Sequence, residues 1–116
     1  MSNEPIPKAR LEEFAVQACE AALADAIKYD HSQTPSWNTT IINEMIAKLK
    51  AETTGYKFGV YSVLLQRGSS DELVDRGLHA ANGAYWDTET DGSWSFTYEK
   101  PEKTITVVLS IFWIGI

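Results

Sequence analysis

The sequence has a single cysteine, Cys19, in 116 residues. One thiol excludes an internal disulfide and any thiolate metal cage, and a reducing compartment is the simplest reading. Histidine is nearly as scarce, with only His31 and His79, and neither has a second histidine at metal-ligand spacing. The seven glycines are scattered at turns; they form neither a P-loop nor a dinucleotide-binding pattern. No serine sits in a G-x-S-x-G elbow. Basic residues are the minority: 10 Lys and Arg stand against 16 Asp and Glu, for a net charge of −6 and a pI near 4.8. No cluster of Lys or Arg interrupts that balance, which argues against a nucleic-acid partner, because phosphate binding needs a basic face. An acidic surface favours a neutral or basic partner instead. Long apolar runs are missing too. The longest, "VVLSIFWIGI" (107–116), is about half of what a membrane span requires, and "MSNEPIPKAR" lacks the apolar core of a signal peptide. These absences predict a soluble intracellular domain with no catalytic set, cofactor, metal or membrane insertion.

What is present is a core. The chain is 44% hydrophobic with four Trp, five Tyr and four Phe, enough for one domain that buries an interior of its own. Residues 1–9 form a loose N-terminal segment in this reading, and 10–116 a single domain. Pro7 suits a first helical turn. Leu11, Phe14, Ala15, Ala18, Ala22 and Ala26 then recur at helical spacing, with Val16, Cys19, Leu23 and Ile27 widening the stripe. Cys19 falls inside that stripe, where a buried inert thiol is the ordinary case. "KYDHSQTP" (28–35) closes the helix, because Pro35 disfavours helical geometry at Thr34. Ser36 is the expected N-cap of a second helix with the stripe Trp37, Ile41, Ile42, Met45, Ile46 and Leu49, and Gly55 its C-cap candidate.

After Gly55 the period changes. "YKFGVYSVLLQR" (56–67), "GLHAANGAYWD" (77–87), "SWSFTYE" (93–99) and "KTITVVLSIFWIGI" (103–116) read as four strands. The last is apolar on both faces toward its end, which marks a central or interface strand. Two helices followed by four strands joined by turns predict an α+β fold: both helices packed on one face of a four-stranded antiparallel sheet.

"DTETDG" (87–92) places Asp87, Glu89 and Asp91 at alternate positions ahead of Gly92, the opening pattern of a calcium loop. The twelfth position should then be a bidentate carboxylate, and it is Tyr98. The flanking Trp94, Phe96 and Tyr98 alternate with polar residues, so the flank is a strand where a helix is needed. The stretch is therefore expected to be a hairpin turn. His79 and Asp87 stand roughly 26 Å apart if they lie on one strand, so they form no dyad there.

The second predicted strand is the unusual element. "HAANGAY" has small residues where Val or Ile would be expected, and glycine inside a strand often marks close approach of another backbone. The preceding "GSSDELVDRG" (68–77) is long for a hairpin connection. Two readings stay open: a strand on a tether reaching a second subunit, or a weak edge strand beside a long loop.

"HSQTPSWNTTIINE" (31–44), "YKFGVYSVLLQ" (56–66), "GLHAANGAYWDTETDGSWSFTYE" (77–99) and "TVVLSIFWIGI" (106–116), in that order and spacing, resemble the Tctex-type dynein light chains over roughly residues 10–116. The resemblance implies a strand-exchanged homodimer and a non-catalytic subunit that binds the dynein intermediate chain, and in some members cargo proteins. It maps the exchanged strand to Leu78–Trp86 and its tether to Ser69–Arg76. It implies a peptide groove formed by Trp37, Asn38, Ile41 and Ile42 on the second helix and by Leu78, His79, Ala80, Ala81, Asn82, Gly83 and Ala84. Ile41 and Ile42 also belong to the helix's apolar stripe, so a core role is open for them. Tyr85, Trp86, Trp94, Phe96 and Tyr98 are the residues associated with strand exchange. The implied setting is the cytoplasmic, microtubule-based dynein complex. A cargo adaptor or regulator of the same fold outside the motor is the alternative; a small-molecule enzyme or carrier would need a convergent set of titratable residues, which the sequence does not supply.

Overall fold

The computed structural model describes residues 5–66, 87 and 89–116. Pro7 is the N-cap of helix α1, Lys8–Leu23. Its carbonyl accepts from the Arg10 and Leu11 N–H groups at 2.9 and 3.0 Å, and the ring costs no hydrogen bond at this position. Ile6, just ahead of it, is already buried in the core, so the chain is tied down before the helix begins. Leu11, Phe14, Ala15, Ala18, Cys19 and Leu23 form the buried face. The helix stops at Leu23, earlier than the apolar spacing predicts. There the Lys103 ammonium donates to the Leu23 carbonyl at 3.2 Å and satisfies one orphan acceptor of the last turn. Ala26 stays half-buried, but Ile27, expected in the stripe, is 86% exposed.

The second helix also departs from expectation. A 3-10 turn, His31–Gln33, runs directly into α2, Thr34–Glu52, with Pro35 inside the first turn. Thr34 is helical at φ −61°, ψ −37°, despite preceding a proline. Its hydroxyl donates to the His31 carbonyl at 2.8 Å, while Asp30 accepts from both the Ser32 N–H and the Ser32 hydroxyl. These local bonds hold a geometry that the proline alone disfavours, so Ser36 is not the N-cap. At the other end Thr53, not Gly55, caps the helix, donating its hydroxyl to the Leu49 carbonyl at 2.9 Å. Gly55 instead supplies the left-handed step, φ +84°, that turns the chain into the sheet.

The sheet has the order β1-β3-β2, all antiparallel, from β1 (Tyr56–Gln66), β2 (Gly92–Lys100) and β3 (Ile105–Gly115). β3, expected from its two apolar faces to be a central or interface strand, is the middle strand of the three. The expected weak strand at 77–87 lies outside the described residues except for Asp87, so three of the four predicted strands are described. Between β2 and β3 a 3-10 turn, Pro101–Lys103, reverses the chain. Thr104 follows at φ +57°, a costly conformation for a β-branched residue, and is held by the bond from the Tyr29 N–H to its hydroxyl.

Pairing register assigns the two faces. Trp94, Phe96 and Tyr98 stand opposite Ile111, Leu109 and Val107, and Phe58, Val60 and Leu64 opposite Trp113, Ile111 and Val107. This face joins the helix residues in one core containing Ile41, Met45, Leu49, Leu109, Ile111 and Trp113. α2 packs on α1 and on β1, and α1 reaches β2. The other face carries no helix among the described residues. On it lie Tyr61, Val63, Leu65, Val108, Phe112 and Ile114, with Tyr61 and Ile114 61% and 47% exposed. Phe112 leans over its cross-strand partner Gly59, where a β-carbon would meet the ring at 3.0 Å.

Candidate functional site

An antiparallel sheet with helices on one side leaves two features for use among the described residues: its unpaired edges and the face that carries no helix. β1 pairs with β3 along its full length on one side, and its other edge has no strand partner among the described residues. Such an edge presents a row of N–H and C=O groups ready to template another strand. α2 lies against β1, so a strand added at this edge would run beside that helix.

The predicted groove residues on α2 divide by depth. Trp37 is 8% exposed and Ile41 fully buried, both members of the protomer's own core. Asn38 and Ile42, on the flank of the same helix, are half-buried. Asn38 Oδ1 is buried and has no hydrogen-bond partner among the described residues, and the same holds for Ser62 Oγ on β1. A buried acceptor or hydroxyl left unpaired costs about 1–3 kcal/mol. Ser62 was not singled out by sequence; a lone serine among "VYSVLL" is the only signal it offers. Trp37 also lines a cleft of about 790 Å³ with Ile27, Tyr29, His31 and Gln66, at the end of β1. In that cleft the Tyr29 hydroxyl lies 3.1 Å from His31 Nδ1.

Leu78, His79, Ala80, Ala81, Asn82, Gly83, Ala84, Tyr85 and Trp86 lie outside the described residues. Trp94, Phe96 and Tyr98, associated by resemblance with strand exchange, point to the helix side of β2. Trp94 and Phe96 stack at 5.6 Å with 9° between their planes, and Tyr98 is 8% exposed. All three pack on the protomer's own core.

The acidic turn before β2 closes on itself. Thr90 and Asp91 N–H groups donate to the Asp87 carbonyl at 3.2 and 2.8 Å. Asp91, 6% exposed, accepts from Asp87 N–H at 3.1 Å, Thr90 hydroxyl at 2.9 Å and Gly115 N–H at 2.8 Å. The Gly115 bond foremost, then those from Thr90 and Asp87, keep its carboxyl below the usual carboxylate pKa against the opposing effect of burial. These carboxylate oxygens are directed at protein N–H and O–H groups. Among the described residues no group of three or more His, Cys, Asp or Glu is placed to hold a metal, and no helix is long and apolar enough to cross a membrane. Burial, and to a lesser extent Glu20, pushes the Cys19 thiol up to about 12, which leaves it a poor nucleophile.

Fold and edge together define a small α+β protein in which, among the described residues, one strand edge beside a helix is unpaired and one largely apolar sheet face carries no helix. The sequence profile of the Tctex-1 family matches residues 5–114, and the chain belongs to that family. A Schizosaccharomyces pombe protein named "Dynein light chain Tctex-type" is 38% identical over 112 residues, covering 97% of each chain. A Drosophila melanogaster protein of the same name is 25% identical over 90% of this chain and 93% of its own. The human "Dynein light chain Tctex-type 3" is 24% identical over 87% of this chain and 80% of its own.

Proposed function

We propose that the protein is a non-catalytic dynein light chain, a homodimer that binds the dynein intermediate chain by β-strand addition. The observation that carries the reading is β1: an eleven-residue strand beside α2 whose outer edge has no strand partner among the described residues, with family membership supplying the kind of partner. In this reading residues 78–86 of one protomer add to the β1 edge of the other. The partner peptide then adds to the next free edge, alongside Asn38 and Ile42. Main-chain bonds give affinity and side-chain pockets give selectivity. The bare face bearing Tyr61, Val63, Phe112 and Ile114 is the surface that a second copy covers. Two grooves on one dimer engage two copies of a dimeric intermediate chain, and avidity rises by roughly 10²–10⁴ without any new contact.

Sedimentation of the full chain at micromolar concentration, with and without a synthetic intermediate-chain peptide, tests both parts. The expected species is about twice the 12.9 kDa chain mass, taking up one peptide per protomer. Asn82→Pro removes a strand donor and should weaken the peptide at least ~10-fold, about 1.4 kcal/mol. A monomer across that concentration range would overturn the exchanged dimer; wild-type affinity in a folded Asn82→Pro dimer would remove the site from that segment.

A further inference from the structure

We infer that α2 selects its partner by pattern: Asn38, Ile42 and Ile46 take one uncharged hydrogen-bonding side chain and two aliphatic ones at alternate positions of an extended peptide. This rests on the strand-addition reading above and names the peptide class that such a site admits. The three residues stand four apart on α2, and all are half-buried. Ile41, Met45 and Leu49 beside them fill the core, and half-buried side chains such as Val16, Val60 and Leu64 pack against it; Ile42 and Ile46 do not. An isoleucine between the two helices would touch the buried stripe of α1, so this flank faces away from α1. Since α1 packs on β2 and α2 on β1, it overhangs the side of β1 that has no strand partner among the described residues. On the opposite flank Glu44 and Lys48 pair with each other at 3.7 Å.

Asn38 sets the polar position. Its Oδ1 is buried with no hydrogen-bond partner among the described residues, and an acceptor held out of water favours an occupant that brings an N–H or O–H. A charged side chain would lose its water against the two isoleucines, so the class is uncharged. Spacing sets the rest. Four helix residues rise about 6 Å, and two strand residues about 6.7 Å. An extended peptide beside α2 therefore meets Asn38, Ile42 and Ile46 with three alternate residues, and the mismatch grows to only about 1.4 Å across the set. The residues between them point to the other face of the peptide strand. A helical peptide would need four residues for each such step.

The test uses the full-length protein and the synthetic intermediate-chain peptide, replaced by Lys at one position at a time, with affinities from calorimetric titration. Three positions spaced two apart should each lose at least ~10-fold, about 1.4 kcal/mol, and the residues between them less than ~3-fold. At an outer position of the three, Ser, Thr, Asn and Gln should interchange while Leu weakens binding; at the other two, Leu, Ile and Val should interchange. Asn38→Asp should restore the peptide that carries Lys at the polar position, a coupling that a residue acting only through the fold does not produce. Sensitive positions spaced three or four apart, or a folded Asn38→Asp protein that rescues no Lys peptide, overturn the inference. If Asn38→Asp fails to fold, the spacing read on the wild-type protein decides alone. Wild-type protein that takes up no parent peptide would instead sink strand addition itself, which a bound peptide with the wrong spacing leaves standing.

Discussion

Gly92 and Trp113 share a space that admits no third group: a β-carbon on Gly92 would lie 2.7 to 2.9 Å from three atoms of the indole. Trp113 is 2% exposed and wedged in the core, so the ring cannot swing away. Gly92→Ala should therefore destabilise the fold by about 1–3 kcal/mol, the usual range for overpacking a well-filled interior. Urea unfolding monitored by tryptophan fluorescence reads the loss. A midpoint equal to wild type would mean that the indole has room to move.

Two adjacent isoleucines test the proposed groove. Ile41 is fully buried, and Ile41→Ala should cost about 2–5 kcal/mol of stability. Ile42 sits on the half-buried flank of α2. Ile42→Ala should leave the unfolding midpoint nearly unchanged while weakening an intermediate-chain peptide several-fold in calorimetric titration. The reverse pattern would exchange their roles.

The helix period, the strand alternation and the doubly apolar last strand were legible because burial imposes them on the sequence directly. The start of α2 was not. The rule that residues before proline avoid helix geometry was outweighed by the Thr34 hydroxyl and the Asp30 carboxylate, whose bonds depend on a turn that must already exist. Ile27 misled for a similar reason: its spacing fits the stripe, but the helix has ended at Leu23 against Lys103, eighty residues away. Of the candidate site, Trp37 and Ile41 were readable as apolar positions, yet helix spacing does not separate a core residue from one on a flank. Asp91 drew notice as a possible metal ligand; its clasp on Gly115 is a long-range contact that no local pattern records.

Acid should loosen that clasp. Gly115, Thr90 and Asp87 hold the Asp91 carboxyl below its ordinary value of 3.8, so the ionised form is the one the fold favours. Its stabilisation is fully present above the unfolded-state pKa of about 4 and is lost as pH falls through the lower folded value. The stability difference between wild type and Asp91→Asn should stay constant from about pH 7 to 5 and narrow below about 4. A difference that shrinks already between pH 7 and 5 would place the relevant titration elsewhere.

Cys19 provides a reporter of opening. With its thiol buried and raised to about 12, alkylation by iodoacetamide at pH 8 should be slow in the native protein and rapid in urea, where the thiol returns to the usual range near 8.5. Native labelling as fast as unfolded labelling would show α1 detached from the sheet. Cys19→Ser should destabilise by about 1–3 kcal/mol by burying a hydroxyl in an apolar setting.

Because β3 lies between β1 and β2, neither of those strands has a neighbour among the described residues until the last of the three has been made. Tyr56 waits for Gly115, and Gly92 for Trp113. During synthesis the helices emerge first and the sheet closes only after the ribosome has passed Gly115. Until then β1 and β2 lack the strand that pairs with both, and unpaired strand edges of this kind are the ones that misassociate during folding.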